Sequence, residues 1–245
     1  MNIIYEDSKK LIVYKPSGVL TQSAKGFDAD LVSQVLTYRR SKGEAAYAAV
    51  INRLDRPVSG LVLFAKDKKE AARLSAQLQN DSLNKQYYAL ICGKPEMKKG
   101  SLVDYLLKDG RNNISAIVDK ETNGAKRAEL EYEVIKSIKA AEIIQENAEK
   151  SVSELTLVRI HLITGRHHQI RVQFAGRELP LLGDTKYGGE REKNVRELLK
   201  NAGKKITAEK ETALCAYSIT VDGKTYEVPY TWKLPLGSLP DGINT

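Results

Sequence analysis

Short apolar runs separated by polar residues dominate the first third of the chain. Residues 2–15 hold two such runs around the polar segment 6–10, and this pattern predicts two short strands in a β-hairpin. Within residues 46–66, the runs 47–51 and 61–65 are rich in β-branched and aromatic side chains, which favour buried strands. The polar stretch between these two runs is therefore expected to form a loop that connects two core strands.

Helical periodicity appears on both sides of this region. Residues 28–41 and 68–80 place apolar side chains at i, i+3 and i+4, so each segment predicts an amphipathic helix. Residues 85–92 predict a further strand. Because side chains alternate across a strand, Tyr87 and Tyr88 are expected on opposite faces of it.

The middle of the chain predicts strands followed by one helix. Residues 100–160 are rich in strand signals, and the alternation is clearest at 155–162. Residues 165–176 predict a helix, with Gly165 near its start and Gly176 at its end.

The last third predicts one helix and a second hairpin. Residues 188–210 are mostly charged and predict an exposed helical insert. Residues 213–221 and 224–230 predict strands joined by a tight turn at Asp222-Gly223. The sequence shows no internal repeat, low-complexity tract or linker. We therefore expect a single α+β domain over residues 1–245, built on a mainly antiparallel sheet.

Composition narrows the class of protein. Of the 245 residues, 42% are hydrophobic, which is enough to bury a core. Lys and Arg number 39 against 31 Asp and Glu, which gives a net charge of +8 and a pI near 9.2. This excess favours an anionic partner such as nucleic acid, although it is a modest signal by itself.

Cysteine and histidine usage argues against a metal site. Cys92 and Cys215 lie far apart and follow no metal-ligand spacing, so we expect a reducing compartment. The His residues all fall within 161–168 and cannot build a His-rich site. No stretch approaches the roughly 20 apolar residues of a membrane span, and the N-terminus lacks the features of a signal peptide. We expect a cytoplasmic protein that uses no metal and no cofactor.

Residues 52–60 contain the strongest candidate for chemistry. Asp55 lies between Arg53 and Arg56, in the connection between two predicted core strands. A rigid scaffold and partial burial suit a catalytic carboxylate. For an isolated Arg-x-Asp-Arg segment, the alternative is a structural salt bridge to a neighbouring arginine.

This segment also carries a family resemblance. Arg53-Leu54-Asp55-Arg56, followed by Ser59-Gly60 and an apolar strand, resembles the catalytic motif of the RluA-type pseudouridine synthases. Further blocks resemble the family's other segments and occur in the same order: Lys15-Pro16-Ser17-Gly18, Lys85-Gln86-Tyr87 with Ala89, Thr164 to Val172, Gly183-Asp184 with Tyr187-Gly188, and Leu214-Cys215-Ala216. Asn52 and Cys215 stand where the family usually has His, and Pro57-Val58 replace its usual Asp-Thr pair.

The resemblance implies a fold, an activity and a partner. The family's fold is a curved, mainly antiparallel central sheet with flanking helices and an active-site cleft. Its members isomerise specific uridines in ribosomal or transfer RNA to pseudouridine, so the implied partner is a structured RNA. Because the Lys-Pro-x-Gly block begins at residue 15, we expect a stand-alone catalytic domain without the N-terminal S4 domain of many members. We also expect a monomer.

The resemblance assigns catalytic roles as well. It makes Asp55 the catalytic carboxylate and Tyr87 the aromatic residue against the target base. Arg171 is the first candidate for the cation that pairs with the carboxylate, and Arg166 is the second. A carboxylate can attack the sugar carbon as a nucleophile or abstract a proton to give a glycal, and the sequence leaves both routes open. His167 and His168 are expected to pack or hydrogen-bond at a helix start rather than to act in catalysis.

Several cations are candidate RNA contacts. The target uridine must leave its stack, and Arg53 is expected to fill the vacated place, with a surface ion pair as the alternative. Arg166 is expected to contact phosphate at the exposed start of a helix. The other candidate phosphate contacts are Lys15, Arg56, Lys186 and the charged insert at 191–205, although each of them alone is more often a solvated charge.

Two other functions fit parts of the sequence. A catalytically silent RNA-binding protein would keep the basic surface and lose the acid, whereas Asp55, Tyr87 and Arg171 are all present. A metal-dependent hydrolase would need further ligands near Asp55. Asp184 is the only other obvious motif acid, and its turn resembles one that the family uses structurally.

Overall fold

A computed structural model describes residues 1–23, 30–139, 154–208, 210–230 and 232. The chain divides into two compact units. The first unit comprises Met1–Lys85 and Cys215–Val228, and the second comprises Gln86–Leu214 with the described residues from Pro229 onward. That residues 1–245 form one domain stays a prediction.

Strands and helices of both units are named here in chain order. They are β1 (Asn2–Glu6), β2 (Lys10–Lys15), α1 (Leu31–Ser41), β3 (Ala49–Val50), β4 (Ser59–Ala65), α2 (Lys68–Gln79), β5 (Gln86–Cys92), β6 (Lys99–Asp109), β7 (Ile114–Val118), β8 (Lys126–Lys139), β9 (Glu154–His161), α3 (Gln169–Ala175), α4 (Gly189–Asn201), β10 (Leu214–Val221) and β11 (Lys224–Glu227).

The first unit is built on strands in the order β1-β2-β4-β10-β11, with the short β3 also paired to β4. Neighbouring strands are antiparallel, except that β10 runs parallel to β4. Ile12, Leu63, Leu74 and Ile219 belong to one buried apolar cluster, which joins β2, β4, α2 and β10. Burial of such side chains is the main source of stability for this unit.

Gly60 allows β10 to lie close to β4. Its φ is +126°, a conformation that side chains other than glycine's rarely adopt. A Cβ atom at this position would lie 2.4 Å from the carbonyl oxygen of Ala216. The Ser-Gly pair that follows the Asp55 loop therefore lets β10 approach the start of β4.

The second unit is an antiparallel sheet in the order β5-β9-β8-β6-β7. Ile160 on β9 is opposite Tyr87 on β5 and Tyr132 on β8, so the three side chains share one face of the sheet. Phe174 of α3 packs against Tyr132 with ring centroids 5.8 Å apart. Helix α3 therefore lies on the face of the sheet that carries Tyr87.

Most predicted elements are confirmed. Both hairpins form, and the turn between β10 and β11 has positive φ at Asp222 (+52°) and Gly223 (+72°), as a tight two-residue turn requires. The strands within 46–66, 85–92 and 100–160 are present, and the mainly antiparallel pairing confirms the α+β class.

Three helix predictions need comment. Helix α1 matches the prediction for 28–41 from Leu31 onward, whereas residues 28 and 29 lie outside the described residues. The helix predicted for 165–176 begins only at Gln169, so its predicted start is wrong. The insert predicted for 188–210 is helical over Gly189–Asn201, but it is not fully exposed, because the side chains on one of its faces are buried: Glu192, Val195 and Leu199.

In the part of the chain that the structure describes, no helix is long and apolar enough to span a membrane.

Candidate active site

Asp55 lies in the connection between β3 and β4 and is half-buried. The loop that carries it begins at Asn52, whose side chain is buried. The Asn52 amide donates to the carbonyl of Leu61 at 3.0 Å and accepts from the amide of Leu63 at 2.8 Å. Asn52 thus supplies both a donor and an acceptor to β4, as a backbone peptide in a sheet would. This pairing gives a physical reason for asparagine at a position where the family usually has His.

The residue before Asp55 is fixed by one side chain. The hydroxyl of Thr21 donates to the carbonyl of Leu54 at 2.8 Å and accepts from its amide at 3.1 Å. Both residues are buried. After Asp55, the amide of Val58 donates to the carbonyl of Asp55 at 3.1 Å and closes a turn. The backbone on either side of the carboxylate is therefore held in place.

The Lys-Pro-Ser-Gly segment supports the same loop from another direction. The amide of Gly18 donates to the carbonyl of Arg56 at 2.8 Å, and Nε of Arg56 donates back to the carbonyl of Gly18 at 3.0 Å. The Ser17 hydroxyl donates to the carbonyl of Pro57 at 3.0 Å. Two motifs that are about 40 residues apart in sequence thus form one hydrogen-bonded structure around Asp55.

The position of Lys15 does not fit its predicted phosphate contact. Its side chain is fully buried, and Nζ donates to the carbonyls of Val19 (2.7 Å), Pro16 (3.1 Å) and Arg56 (3.3 Å). Burial lowers the pKa of Lys15 to about 8, although the charge of Asp55 acts in the opposite direction. An ammonium group enclosed in this way supports the Asp55 loop from inside and is not presented to a polyanion.

The two arginines beside Asp55 face solvent. Arg53 and Arg56 are both exposed. Their exposure leaves the predicted RNA contacts sterically open, and the roles themselves stay predictions.

Tyr87 and Tyr88 lie on opposite faces of β5, as alternation predicts, and both are 5% exposed. Tyr88 packs against Tyr230 with ring centroids 5.6 Å apart and an interplanar angle of 74°. This edge-to-face contact gives Tyr88 a packing role within the second unit. Tyr87 faces the side of the sheet that α3 covers.

Arg171 on α3 forms a buried, two-pronged ion pair with Asp184. Its Nε and Nη2 each donate to an oxygen of Asp184 at 2.7 Å, and the two side chains are 3% and 0% exposed. The amides of Lys186 and Tyr187 also donate to this carboxylate, at 3.0 and 3.2 Å. Asp184 therefore organises its own turn and orients Arg171, which matches the structural use predicted for the Gly-Asp-x-x-Tyr turn.

The segment before α3 is a tight loop and not the first turn of the helix. Gln169 is buried, and its Oε1 accepts from the hydroxyl of Thr164 at 2.8 Å and from the amide of Arg166 at 2.9 Å. Its Nε2 donates to the carbonyl of Glu129 on β8 at 3.0 Å. His168, just before the helix, has φ +55°. Arg166 and His167 thus precede the helix, although the prediction for 165–176 placed both of them within it.

His167 joins this loop to the β6–β7 hairpin, and His168 joins it to Tyr187. His167 and His168 stack with ring centroids 3.7 Å apart. His167 hydrogen-bonds to the side chains of Ser115 (2.8 Å) and Asn113 (3.0 Å), and His168 to the hydroxyl of Tyr187 (2.8 Å). These bonds agree with the expectation that the histidines pack and hydrogen-bond.

Arg166 and Lys186 are exposed at the same end of the unit. Nε of Arg166 donates to the carbonyl of Arg127 at 2.8 Å, and Nζ of Lys186 donates to the carbonyl of Asn113 at 2.8 Å. Each side chain is oriented by a backbone carbonyl while it remains accessible. Their predicted phosphate contacts stay predictions.

Sequence reasoning missed Thr21 and Gln169 as determinants of the site. Gln169 lies within the Thr164–Val172 segment that resembles the family, so the resemblance could have indicated its importance. Thr21 lies outside every motif, and its role depends on a partner more than thirty residues away. Among the described residues, no group of three or more His, Cys, Asp or Glu side chains is placed to hold a metal ion.

The chain is similar in sequence and in fold to proteins of a known family. Residues 9–176 match the family model described as RNA pseudouridylate synthase. Two human structures share the fold: RNA pseudouridylate synthase domain containing 4 (TM-score 0.68, 21% identity, 96% of this chain and 88% of that chain) and domain containing 1 (TM-score 0.65, 21% identity, 93% and 81%). The expected pseudouridine synthase fold is therefore confirmed, and the chain belongs to the RNA pseudouridylate synthase family.

Two of the curated relatives come from bacteria. The uncharacterized RNA pseudouridine synthase YhcT of Bacillus subtilis is 32% identical over 77% of this chain and 58% of its own length. The ribosomal large subunit pseudouridine synthase D of Zymomonas mobilis is 31% identical over 77% of this chain and 56% of its own length. The chain thus spans little more than half the length of these relatives.

Proposed function

We propose that this protein is an RNA pseudouridine synthase, an isomerase that converts specific uridines in ribosomal or transfer RNA to pseudouridine. The observation that carries the proposal is Asp55, a half-buried carboxylate on a loop whose backbone is fixed on both sides, within a chain of this family. Because relatives are named as acting on the ribosomal large subunit, its RNA is the first substrate to test.

The proposed reaction breaks the bond between C1′ of the ribose and N1 of uracil and forms a bond between C1′ and C5. The C5 proton leaves and N1 gains a proton, so the reaction is redox-neutral and we propose that it uses no cofactor. Asp55 either attacks C1′ as a nucleophile or abstracts a ribose proton to give a glycal. Tyr87 is the proposed aromatic partner of the base and assists removal of the C5 proton, since a phenol can stack and transfer a proton. Arg171 is the proposed cationic partner of the carboxylate.

The proposed RNA contacts are the exposed arginines and lysine. Arg53 fills the place of the flipped uridine, and Arg56, Arg166 and Lys186 contact phosphates. Lys15 is left out of this set because it is buried. A monomer in the cytoplasm remains our expectation for its state and location.

The test is release of tritium from large-subunit ribosomal RNA labelled at uridine C5. Wild-type protein is compared with Asp55→Asn, which keeps the size of the side chain and removes its charge. Asp119→Asn, at an exposed turn of the second unit, is the matched control. We expect Asp55→Asn to lose at least ~100-fold in rate, whereas Asp119→Asn keeps wild-type activity. RNA affinity is measured on the same samples by filter binding.

Each outcome bears on the proposal. Release by the wild type and by Asp119→Asn, but not by Asp55→Asn, supports it. Equal release by Asp55→Asn would overturn the assignment of Asp55. RNA binding without release by the wild type, on both large-subunit and transfer RNA, would favour the silent RNA-binding protein.

A further inference from the structure

Arg171 is held on two sides within the second unit. Asp184 accepts hydrogen bonds from two Arg171 nitrogens, both at 2.7 Å. The centre of the Tyr187 ring lies 5.2 Å from the guanidinium carbon. A cation over an aromatic face is attracted by the ring, and the attraction grows when water is excluded. Because Arg171 is 3% exposed, the position of the Tyr187 ring constrains where the guanidinium can lie.

The Tyr187 ring is held in turn through its hydroxyl. The amide of Ser115 on β7 donates to this oxygen at 2.8 Å, and Nδ1 of His168 lies 2.8 Å from it. The Tyr187 hydroxyl is thus held by two groups, and the donor in its bond with His168 depends on which ring nitrogen of His168 carries the proton.

His168 reaches this partner by means of an uncommon backbone conformation. Its φ of +55° is in the left-handed region, which costs free energy for residues other than glycine. The side chain is 8% exposed and stacks on His167, which is itself bonded to Ser115 and Asn113. A strained residue held in place by its surroundings is typical of a functional site.

We propose that Tyr187 and His168 are positioning residues that set the geometry of Arg171 for the reaction, an inference that rests on the proposed function. They act through Arg171 and do not contact the reacting atoms. A role in stability alone is the competing explanation. The two differ in one respect: a positioning role requires that the effect of removing the Tyr187 hydroxyl depends on the presence of Arg171.

The first experiment removes only that hydroxyl. Tyr187→Phe keeps the ring over Arg171 and loses both bonds to the oxygen. Tyr132→Phe, on the sheet of the same unit, is the matched control. We expect the single-turnover rate of tritium release to fall about tenfold in Tyr187→Phe, with the Kd for RNA within about twofold of wild type and the control unchanged.

A double-variant cycle separates positioning from stability. In an Arg171→Gln background, Tyr187→Phe should cause no further fall in rate, because the residue through which it acts is gone. A further tenfold fall in that background would overturn the proposal. An unchanged rate in Tyr187→Phe alone would also overturn it.

A readout that does not need activity keeps this inference separate from the proposed function. The Nε–H of Arg171 is buried and bonded to Asp184, so its exchange with solvent can be followed by nitrogen-15 NMR. We expect exchange to accelerate about tenfold in Tyr187→Phe and to accelerate also in His168→Ala, but not in Tyr132→Phe. Unchanged exchange in Tyr187→Phe would overturn the positioning role even if the wild type proved inactive, whereas inactivity with accelerated exchange would overturn only the proposed function.

Discussion

Thr21 satisfies both backbone hydrogen-bonding groups of Leu54, the residue that precedes Asp55. One hydroxyl serves as donor and acceptor at the same peptide position, in a buried environment. A backbone group buried without a partner is costly, so this hydroxyl couples the stability of the first unit to the geometry of the candidate catalytic loop.

Thr21→Val should therefore affect both properties. Valine has nearly the same shape but leaves the amide and carbonyl of Leu54 without that partner, which costs about 1–3 kcal/mol of unfolding free energy. We expect the rate of tritium release to fall as well, because the backbone before Asp55 is released. Urea denaturation and single-turnover assays measure the two effects. Thr21→Ser keeps the hydroxyl, and if it lost as much activity as Thr21→Val the explanation would be wrong.

Gly60→Ala should destabilise the first unit strongly. The added methyl group would overlap the backbone of Ala216. Residue 60 also has a φ of +126°, which is a strained conformation for alanine. We expect a loss of about 3 kcal/mol or more in unfolding free energy, or failure to fold. Gly110→Ala is the control, since its Cβ would have no neighbour within 4 Å. Similar melting temperatures for the two variants would contradict the packing that we describe.

Lys15 should make the free energy of unfolding depend on pH between its folded and unfolded pKa values. Its pKa is about 8 in the folded protein, below the ordinary value of 10.5. Between these values the unfolded chain holds a proton that the folded chain has released, so this group makes the protein more stable as pH rises. We expect the unfolding free energy of wild type, relative to Lys15→Met, to rise by about 1–3 kcal/mol from pH 7.5 to 10.5. Denaturation of both proteins across this range measures it, and a constant difference would show that Lys15 keeps an ordinary pKa.

Local patterns predicted the elements well. Asp222-Gly223 encodes its own turn, because both residues accept positive φ. Helix α2 begins after Asp67, whose side chain accepts from the amide of Glu70, a capping arrangement contained within four residues. In these cases the stabilising partner is close in sequence, so the sequence alone was sufficient.

The errors arose where the partner is distant. Gln169 replaces a first helical turn with a loop because it bonds to Glu129, which lies forty residues earlier on β8. Lys15 is enclosed by carbonyls that include that of Arg56, forty-one residues later. From the sequence alone, a lysine in a short motif is readily interpreted as a surface contact, because its buried carbonyl partners are distant in the chain. The family resemblance supplied the candidate residues, whereas only the fold shows which contacts hold them in place.

The parallel pairing of Ser59 with Cys215 has a consequence for synthesis of the protein. Strand β4, which follows Asp55, leaves the ribosome early. Of the strands that pair with β4 in the first unit, β10 is translated last. Contacts of such long sequence separation form late and slowly. The nascent chain must therefore carry an open strand edge beside Asp55 until β10 is synthesised, so the sheet of the first unit is completed only after residues 86–214 have been translated.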